Sequence, residues 1–150
     1  MSTAPATTLP CPCRTPADAM PYGDCCARYH AGPLQLLAPT AEALMRSRYS
    51  AFVMDHLDYL LATWHASTRP LRLEPNPAGL KWLGLAVRRH TVIDADHATV
   101  EFVARSKLGG RAERLHEISR FVREGGRWFY VGGESRRTAF RRTLGAPSPT

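Results

Sequence analysis

The sequence predicts an α+β protein, in which a curved antiparallel sheet packs on helices that precede it and a small N-terminal metal knuckle is attached. Three observations lead to this prediction. All four cysteines lie within Cys11–Cys26, residues 40–65 place apolar side chains at helical spacing, and from Lys81 onward the pattern alternates as in strands. Helices followed by one run of hairpins favour helices packed on a single face of the sheet.

The chain has 150 residues, enough for one domain with its own core and a small appendage. Residues 1–10 are small and polar, without a basic start or an apolar run, so they predict a disordered lead rather than a signal peptide. We expect no membrane segment and a cytoplasmic location. Thiols stay reduced there, so clustered cysteines indicate metal ligands before disulfides.

The net charge of +7 is unevenly placed. Residues 1–80 contain equal numbers of basic and acidic side chains, so the whole excess lies in residues 81–150. An excess of this kind suits nucleic acid, the ribosome or acidic proteins as partners. The signs alternate along the chain, however, which favours a solvated surface and argues against direct nucleic-acid binding.

Residues 11–38 hold the cysteines and show neither a helical nor a strand period. Four thiolates match the tetrahedral ligand set of structural zinc, and a site filled by protein leaves no position for a catalytic water. A redox pair and metal-free thiols are the two alternatives. His30 is the substitute ligand if one of the adjacent cysteines is not used. The predicted ligands are Cys11, Cys13, Cys25 and Cys26.

Two helices are predicted before the sheet. The first begins near Thr40, which follows a proline and suits an N-cap, and its apolar stripe contains one charged residue, Arg48. The second is shorter, with Asp55 as its cap, and Trp64 closes its apolar face. Residues 67–77 contain three prolines and predict a loop.

Four strands are predicted after Lys81, joined by an Asp-rich turn and two Gly-Gly turns, which makes an antiparallel meander. Residues 134–150 show no convincing period and predict a basic tail. The predicted strands are Trp82–Ile93, Ala98–Lys107, Arg111–Arg123 and Arg127–Val131.

Several stretches carry a resemblance to known families. Cys11-Pro12-Cys13 and Pro21–Cys26 resemble the SEC-C motif, a small zinc knuckle, although Arg14–Met20 replaces its usual glycine-containing segment with a longer one. The rest resembles the YchJ family of uncharacterised bacterial proteins. The stretches that carry this resemblance are Tyr29–Gly32, Ala38–Phe52, Tyr59-Leu60, Thr63–His65, Val100–Arg105, Ser119–Phe121 and Gly126–Tyr130, with Gly132.

The resemblance covers residues 11–133 and implies two parts. Residues 11–38 would form a SEC-C-like zinc knuckle, and residues 39–133 a nuclear-transport-factor-2-like domain, a cystatin-like cone of curved sheet around helices. Seven side chains are candidates for a ligand pocket inside that cone. They are Arg48, Tyr49, Trp64, His65, Glu101, Glu117 and Arg120.

Arginines beside aromatic rings suit a planar anionic ligand. The alternative is that Arg48 pairs with Glu101 or Glu117 and only fixes the fold. No spacing selects a general base among the carboxylates, so we assign no catalytic residue and do not expect an enzyme.

Two functions follow from these features. The first is a zinc-binding accessory protein whose knuckle docks to a protein or ribosomal partner, with the cone as a scaffold or ligand pocket. The second is a small-molecule-binding protein or enzyme that uses the cone cavity.

Overall fold

The computed structural model describes residues 7–139 and confirms the predicted α+β layout. A cysteine-rich segment leads into three helices, which are followed by one four-stranded antiparallel sheet in the order β1-β2-β3-β4. The helices are α1 (Ala27–His30), α2 (Ala41–Val53) and α3 (Leu57–Ala62); the strands are β1 (Lys81–Asp94), β2 (His97–Leu108), β3 (Arg111–Glu124) and β4 (Arg127–Ala139).

The sheet is a meander, as the turn residues predict. Gly109-Gly110 and Gly125-Gly126 join its last two hairpins, and all four have positive φ angles between 59° and 79°. Two-residue turns of this hand match the right-handed twist of the paired strands, and glycine adopts them without a steric penalty. Bulges interrupt the register of β1 with β2, and such bulges bend a strand and increase its twist.

The fourth strand is longer than the sequence predicts, and this corrects the assignment of residues 134–150 to a tail. Residues 134–139 belong to β4 and pair with β3 from Glu113 to Ile118. All five side chains from Glu134 to Thr138 are polar, on both faces of the strand, so no apolar alternation marks the strand in the sequence. Residues 140–150 lie outside the described part of the chain.

Helix α2 begins as predicted, because the Thr40 hydroxyl accepts a hydrogen bond from the Ala43 amide at 3.0 Å. The cap of α3 is corrected. Asp55 adopts a left-handed backbone with φ 57° and accepts from the Asn76 amide, so His56 takes the cap position. Helix α3 ends at Ala62, and Trp64 therefore lies beyond it.

Part of the predicted disordered lead is ordered. The Leu9 carbonyl accepts a hydrogen bond from the Tyr22 amide at 2.8 Å, and Pro10 forms an antiparallel bridge with Pro21. Residues 1–6 lie outside the described residues. Among the helices of residues 7–139, none has the length and apolar composition needed to cross a membrane.

Candidate metal centre and cone cavity

The structure brings the four cysteines into one cluster. Their sulfur atoms all lie within 4.8 Å of one another, and Cys13 Sγ lies 3.6 Å from both Cys25 Sγ and Cys26 Sγ. A tetrahedron with metal–sulfur bonds of about 2.3 Å has sulfur–sulfur edges of about 3.8 Å. All four side chains are at most 3% exposed. The cluster therefore fits one fully protein-coordinated metal ion without a large rearrangement.

The four thiols shift one another's pKa values through hydrogen bonds within the cluster. Hydrogen bonds within the cluster, the one from Cys13 first, lower the pKa of Cys11 to about 6. The pKa of Cys25 is also lowered, chiefly by hydrogen bonds from the other thiols and further by Arg14, whose Nε lies 3.5 Å from its sulfur. The pKa values of Cys13 and Cys26 are raised, because these thiols hold the shared protons. A bound dication stabilises thiolates and would release those protons.

The cysteine segment is fastened to helix α2. Cys11 Sγ lies 3.5 Å from Ser50 Oγ, and Arg46 donates a hydrogen bond of 2.8 Å to the Cys13 carbonyl. His30 adds a third link, since its Nε2 lies 2.8 Å from the Ser47 carbonyl. The cysteine cluster thus contacts one side of the helix whose other side faces the sheet.

His30 is not a member of the cysteine cluster, because both of its ring nitrogens are occupied elsewhere. A carbonyl only accepts, so Nε2 carries the proton towards Ser47. Nδ1 then accepts from the Tyr22 hydroxyl at 2.7 Å. Burial is the largest cause that lowers the pKa of His30. The fold therefore holds a neutral imidazole between the knuckle and α2.

We expect the free energy of unfolding to fall as the pH drops below about 6.5, the ordinary histidine pKa. The unfolded chain binds the proton more readily than the folded chain, so stability is present above that pH and is lost below it. The measurement is urea unfolding of wild type and His30→Gln from pH 5.5 to 7.5. Protonation of the cysteines, with loss of any metal that they bind, affects both proteins, so the difference between the two curves isolates His30. Parallel curves would contradict the prediction.

A cavity of about 220 Å³ lies between α2 and the sheet. We call it the cone cavity. Its walls are mostly aromatic and aliphatic. Three charged side chains also line it, namely Arg48 from α2, Glu117 from β3 and Arg137 from β4. The lining residues are Met45, Arg48, Tyr49, Phe52, Trp64, Trp82, Phe102, Ala104, Ser106, Leu115, Glu117, Ser119, Phe121, Tyr130 and Arg137.

Arg48 is the buried charge of this cavity, as its place on the apolar stripe predicts, with an exposed fraction of 5%. Its predicted carboxylate partner is corrected. Nη1 donates instead to the Leu60 carbonyl at 2.8 Å and to Thr63 Oγ1 at 2.7 Å. The guanidinium carbon lies 4.5 Å from the centre of the Tyr130 ring and 5.0 Å from that of Trp64. These π faces compensate the charge in place of a carboxylate. Burial lowers the pKa of Arg48 to about 10, which leaves it cationic at neutral pH.

Glu117 supplies the carboxylate of the cavity. Its Oε2 accepts hydrogen bonds from the Ser119 hydroxyl and, at 3.1 Å, from the Tyr130 hydroxyl. Burial first, and then the nearby Glu117, raises the pKa of Tyr130 to about 12. Tyr130 therefore remains a protonated donor, and it contacts Glu117 through its hydroxyl and Arg48 through its ring face.

Two indole groups are left unsatisfied in the cavity wall. Trp64 Nε1 and Trp82 Nε1 are buried and have no hydrogen-bond partner among residues 7–139. A buried N–H without an acceptor costs about 1–3 kcal/mol. Both side chains line the cavity, and each carries a buried indole N–H that has no acceptor within the described residues.

Three of the predicted pocket residues do not line the cavity, which corrects the predicted set. Glu101 lies on the opposite face of the sheet, where its carboxylate binds His116 Nε2 at 2.7 Å. Arg120 is exposed on that same face, because the alternation of β3 turns it away from Ser119 and Phe121. His65 follows Trp64 and pairs with Glu124 at 3.0 Å. Arg48, Tyr49, Trp64 and Glu117 do line it.

Tyr130 and Trp82 also line the cavity, although neither belongs to the predicted set of pocket residues. Tyr130 sits where Trp64 forms a parallel bridge to β4, and its amide donates to the Thr63 carbonyl at 2.8 Å. Strand alternation was the available signal, since Trp82 pairs with Ser106 and Tyr130 pairs with Phe121, both on the cavity side.

Comparison with known proteins places this arrangement in a family. The family model of the YchJ middle NTF2-like domain matches residues 40–133. A UPF0225 protein of Bordetella parapertussis is 59% identical over 136 residues, which cover 91% of this chain and 100% of the relative. A UPF0225 protein of Methylibium petroleiphilum is 65% identical over 126 residues, covering 84% of this chain and 88% of the relative.

A solved structure agrees with the fold. The crystal structure of a SEC-C motif containing protein from Psychrobacter arcticus superimposes with a TM-score of 0.70 at 33% sequence identity. The match covers 83% of this chain and 81% of that chain. With a buried four-cysteine cluster ahead of an NTF2-like cone, the chain belongs to the YchJ family of UPF0225 proteins.

Proposed function

We propose that this protein binds a small aromatic molecule with acceptor oxygens in the cone cavity, and that a structural zinc ion in the knuckle braces the helix that forms one cavity wall. The observation that carries the proposal is the buried Arg48 guanidinium, which lines a cavity of about 220 Å³ with mostly aromatic and aliphatic walls. A ligand oxygen would accept hydrogen bonds from the guanidinium N–H groups that have no partner within the described chain.

Arg48 favours an acid over a neutral compound, while the cavity's carboxylate, Glu117, is hydrogen-bonded to Ser119 and Tyr130. Arg48 has no carboxylate within ion-pair distance among the described residues, and only its Nη1 is used in hydrogen bonds there. Tyr49, Phe52 and Phe102 provide flat apolar walls for a ring. Small-molecule sites combine such walls with a few placed polar groups. An aromatic carboxylate matches this combination.

Zinc is the metal that the donor set supports. Four thiolates in a tetrahedral arrangement select zinc over the hard cations, which prefer oxygen ligands. The cluster is closed by protein sulfur on all four sides and is fastened to α2, so its role in this proposal is structural.

The test uses 2-naphthoate and its uncharged counterpart 2-naphthamide as probes, with tryptophan fluorescence as the readout. Two of the three tryptophans line the cavity. We expect the acid to quench fluorescence and to bind at least about tenfold more tightly than the amide, a difference of about 1.4 kcal/mol. Trp128→Phe removes the tryptophan outside the cavity and should leave binding unchanged.

Ser106→Phe fills the cavity from β2 and should abolish binding of both probes. If neither probe binds wild type, and native mass spectrometry of freshly purified protein shows no retained small molecule, the cavity proposal is wrong. The same spectrum reports the mass of a bound zinc ion.

The docking of the knuckle to a protein or ribosomal partner stays a prediction. It has one supporting observation, which is that Leu34 and Leu37 are 46% and 45% exposed although the cysteines turn inward. Pull-down from lysate with wild type and with a Leu34→Ser, Leu37→Ser double variant tests it. A partner retained equally by both would remove this support.

A further inference from the structure

The outer face of the sheet, opposite the helices, carries a dense basic surface. Residues on β2 and β3 alternate between this face and the cavity, and cross-strand partners share a face. Four carboxylates lie on the outer face by this register, Asp94, Glu101, Glu124 and Glu134, together with Arg127 and seven further basic side chains. The seven are Lys81, Arg89, Arg105, Lys107, Arg114, Arg120 and Arg136.

Like charges stand directly opposite each other at one end of this face. Lys81 is the cross-strand partner of Lys107, and Arg105 is the partner of Arg114. Such partners have Cβ atoms about 5 Å apart, and like charges in this position destabilise a sheet. None of the seven basic side chains forms an ion pair with another residue of the described chain. The fold therefore carries an electrostatic cost that an anionic partner would remove.

The alternation of side chains between the two faces of a strand explains why this basic surface is not apparent in the sequence. In β3, Glu113 and Glu117 alternate with Arg114 and Arg120, so the signs are mixed along the chain. Alternation directs the two carboxylates to the cavity side and the two arginines outward. In β3, mixed signs in the sequence therefore become an excess of basic side chains on the outer face.

We infer that the outer face binds the phosphate backbone of double-stranded RNA. Phe129, at one end, is the one aromatic residue among the outer-face positions of the described strands, so stacking on unpaired bases has no platform. Four strands span about 14 Å, which exceeds the roughly 12 Å major groove of B-form DNA. The wide, shallow minor groove of A-form RNA accepts such a face. This inference does not depend on the cavity proposal.

The experiment measures fluorescence anisotropy of a labelled 20-base-pair RNA duplex over a range of salt concentrations, with the full chain. We expect wild type to bind with a steep salt dependence, and an Arg105→Gln, Arg114→Gln double variant to bind at least about tenfold more weakly with a slope reduced by about 2. The double variant loses a like-charge pair, so its thermal midpoint should stay level or rise. If the double variant keeps its thermal midpoint but binds RNA weakly, the loss of affinity does not come from misfolding.

The matched control is Arg69→Gln, Arg72→Gln, which removes the same charge from the loop before β1 and should bind RNA as wild type does. Equal binding by the two double variants would overturn the assignment to the outer face. A B-form DNA duplex that binds as tightly would overturn the RNA assignment. Displacement of RNA by poly-L-glutamate at equal charge would assign the face to an acidic protein instead.

Discussion

Substitution of Cys13 by serine is expected to release the metal and to lower the thermal midpoint of the chain by more than about 10 °C. Metal binding to a four-ligand zinc site is worth about 10–16 kcal/mol in small zinc domains, comparable with the whole stability of a typical domain. Cys13 lies 3.6 Å from two other ligands, and its carbonyl accepts the hydrogen bond from Arg46. Calorimetry with a colorimetric zinc-release assay measures both quantities.

The matched control for this prediction is Ser50→Ala. It removes the contact of 3.5 Å between Cys11 and α2 but leaves all four ligands in place. We expect it to retain zinc and to shift the midpoint by only a few degrees, as loss of one buried polar contact does. If the Cys13→Ser protein is free of zinc but has the same thermal midpoint as wild type, the cluster does not stabilise the fold.

The second large effect is expected at Arg48, where one substitution should lower both the free energy of unfolding and the affinity for 2-naphthoate, and another mainly the affinity. Arg48→Ala leaves a cavity and removes the hydrogen bonds to Leu60 and Thr63, so we expect a loss of about 3 kcal/mol in the free energy of unfolding. Arg48→Met keeps the volume and removes a buried charge that has no anionic partner, so the loss should be about 1 kcal/mol or less. Both variants should lose affinity for 2-naphthoate.

Arg46→Met serves as the control for the same helix, since Arg46 binds Glu42 and the Cys13 carbonyl and does not line the cavity. It should bind 2-naphthoate as wild type does. Urea unfolding and fluorescence titration provide the two readouts. If Arg48→Met binds the acid with wild-type affinity, Arg48 is a structural residue and not an anchor for the ligand.

Much of this architecture is readable in the sequence because the signals are local. The four cysteines lie within sixteen residues, the cap of α2 is a threonine after a proline, and paired glycines mark the last two hairpins. Each signal acts over a few residues through ligand chemistry, a side-chain cap or allowed backbone angles. These features are confirmed by the structure.

The rest depends on contacts between distant segments. Trp64 is positioned in the cavity wall by a bridge to Tyr130, and no sequence pattern near either residue predicts that pairing. The end of β4 has polar residues on both faces, so its pairing with β3 gives it structure without an apolar period. Which residues line the cavity also depends on the sheet register. The register turns Glu117 inward and turns Glu101 and Arg120 to the opposite face.

The position of the cluster in the chain has a consequence for synthesis on the ribosome. Chains emerge from the N-terminus and fold as segments become available. The whole ligand set is complete once Cys26 has appeared, whereas the cavity needs β4, the last strand to be made. If the cluster binds zinc as proposed, the metal can be bound before the sheet forms, so that the knuckle and α2 are in place when the four strands pair.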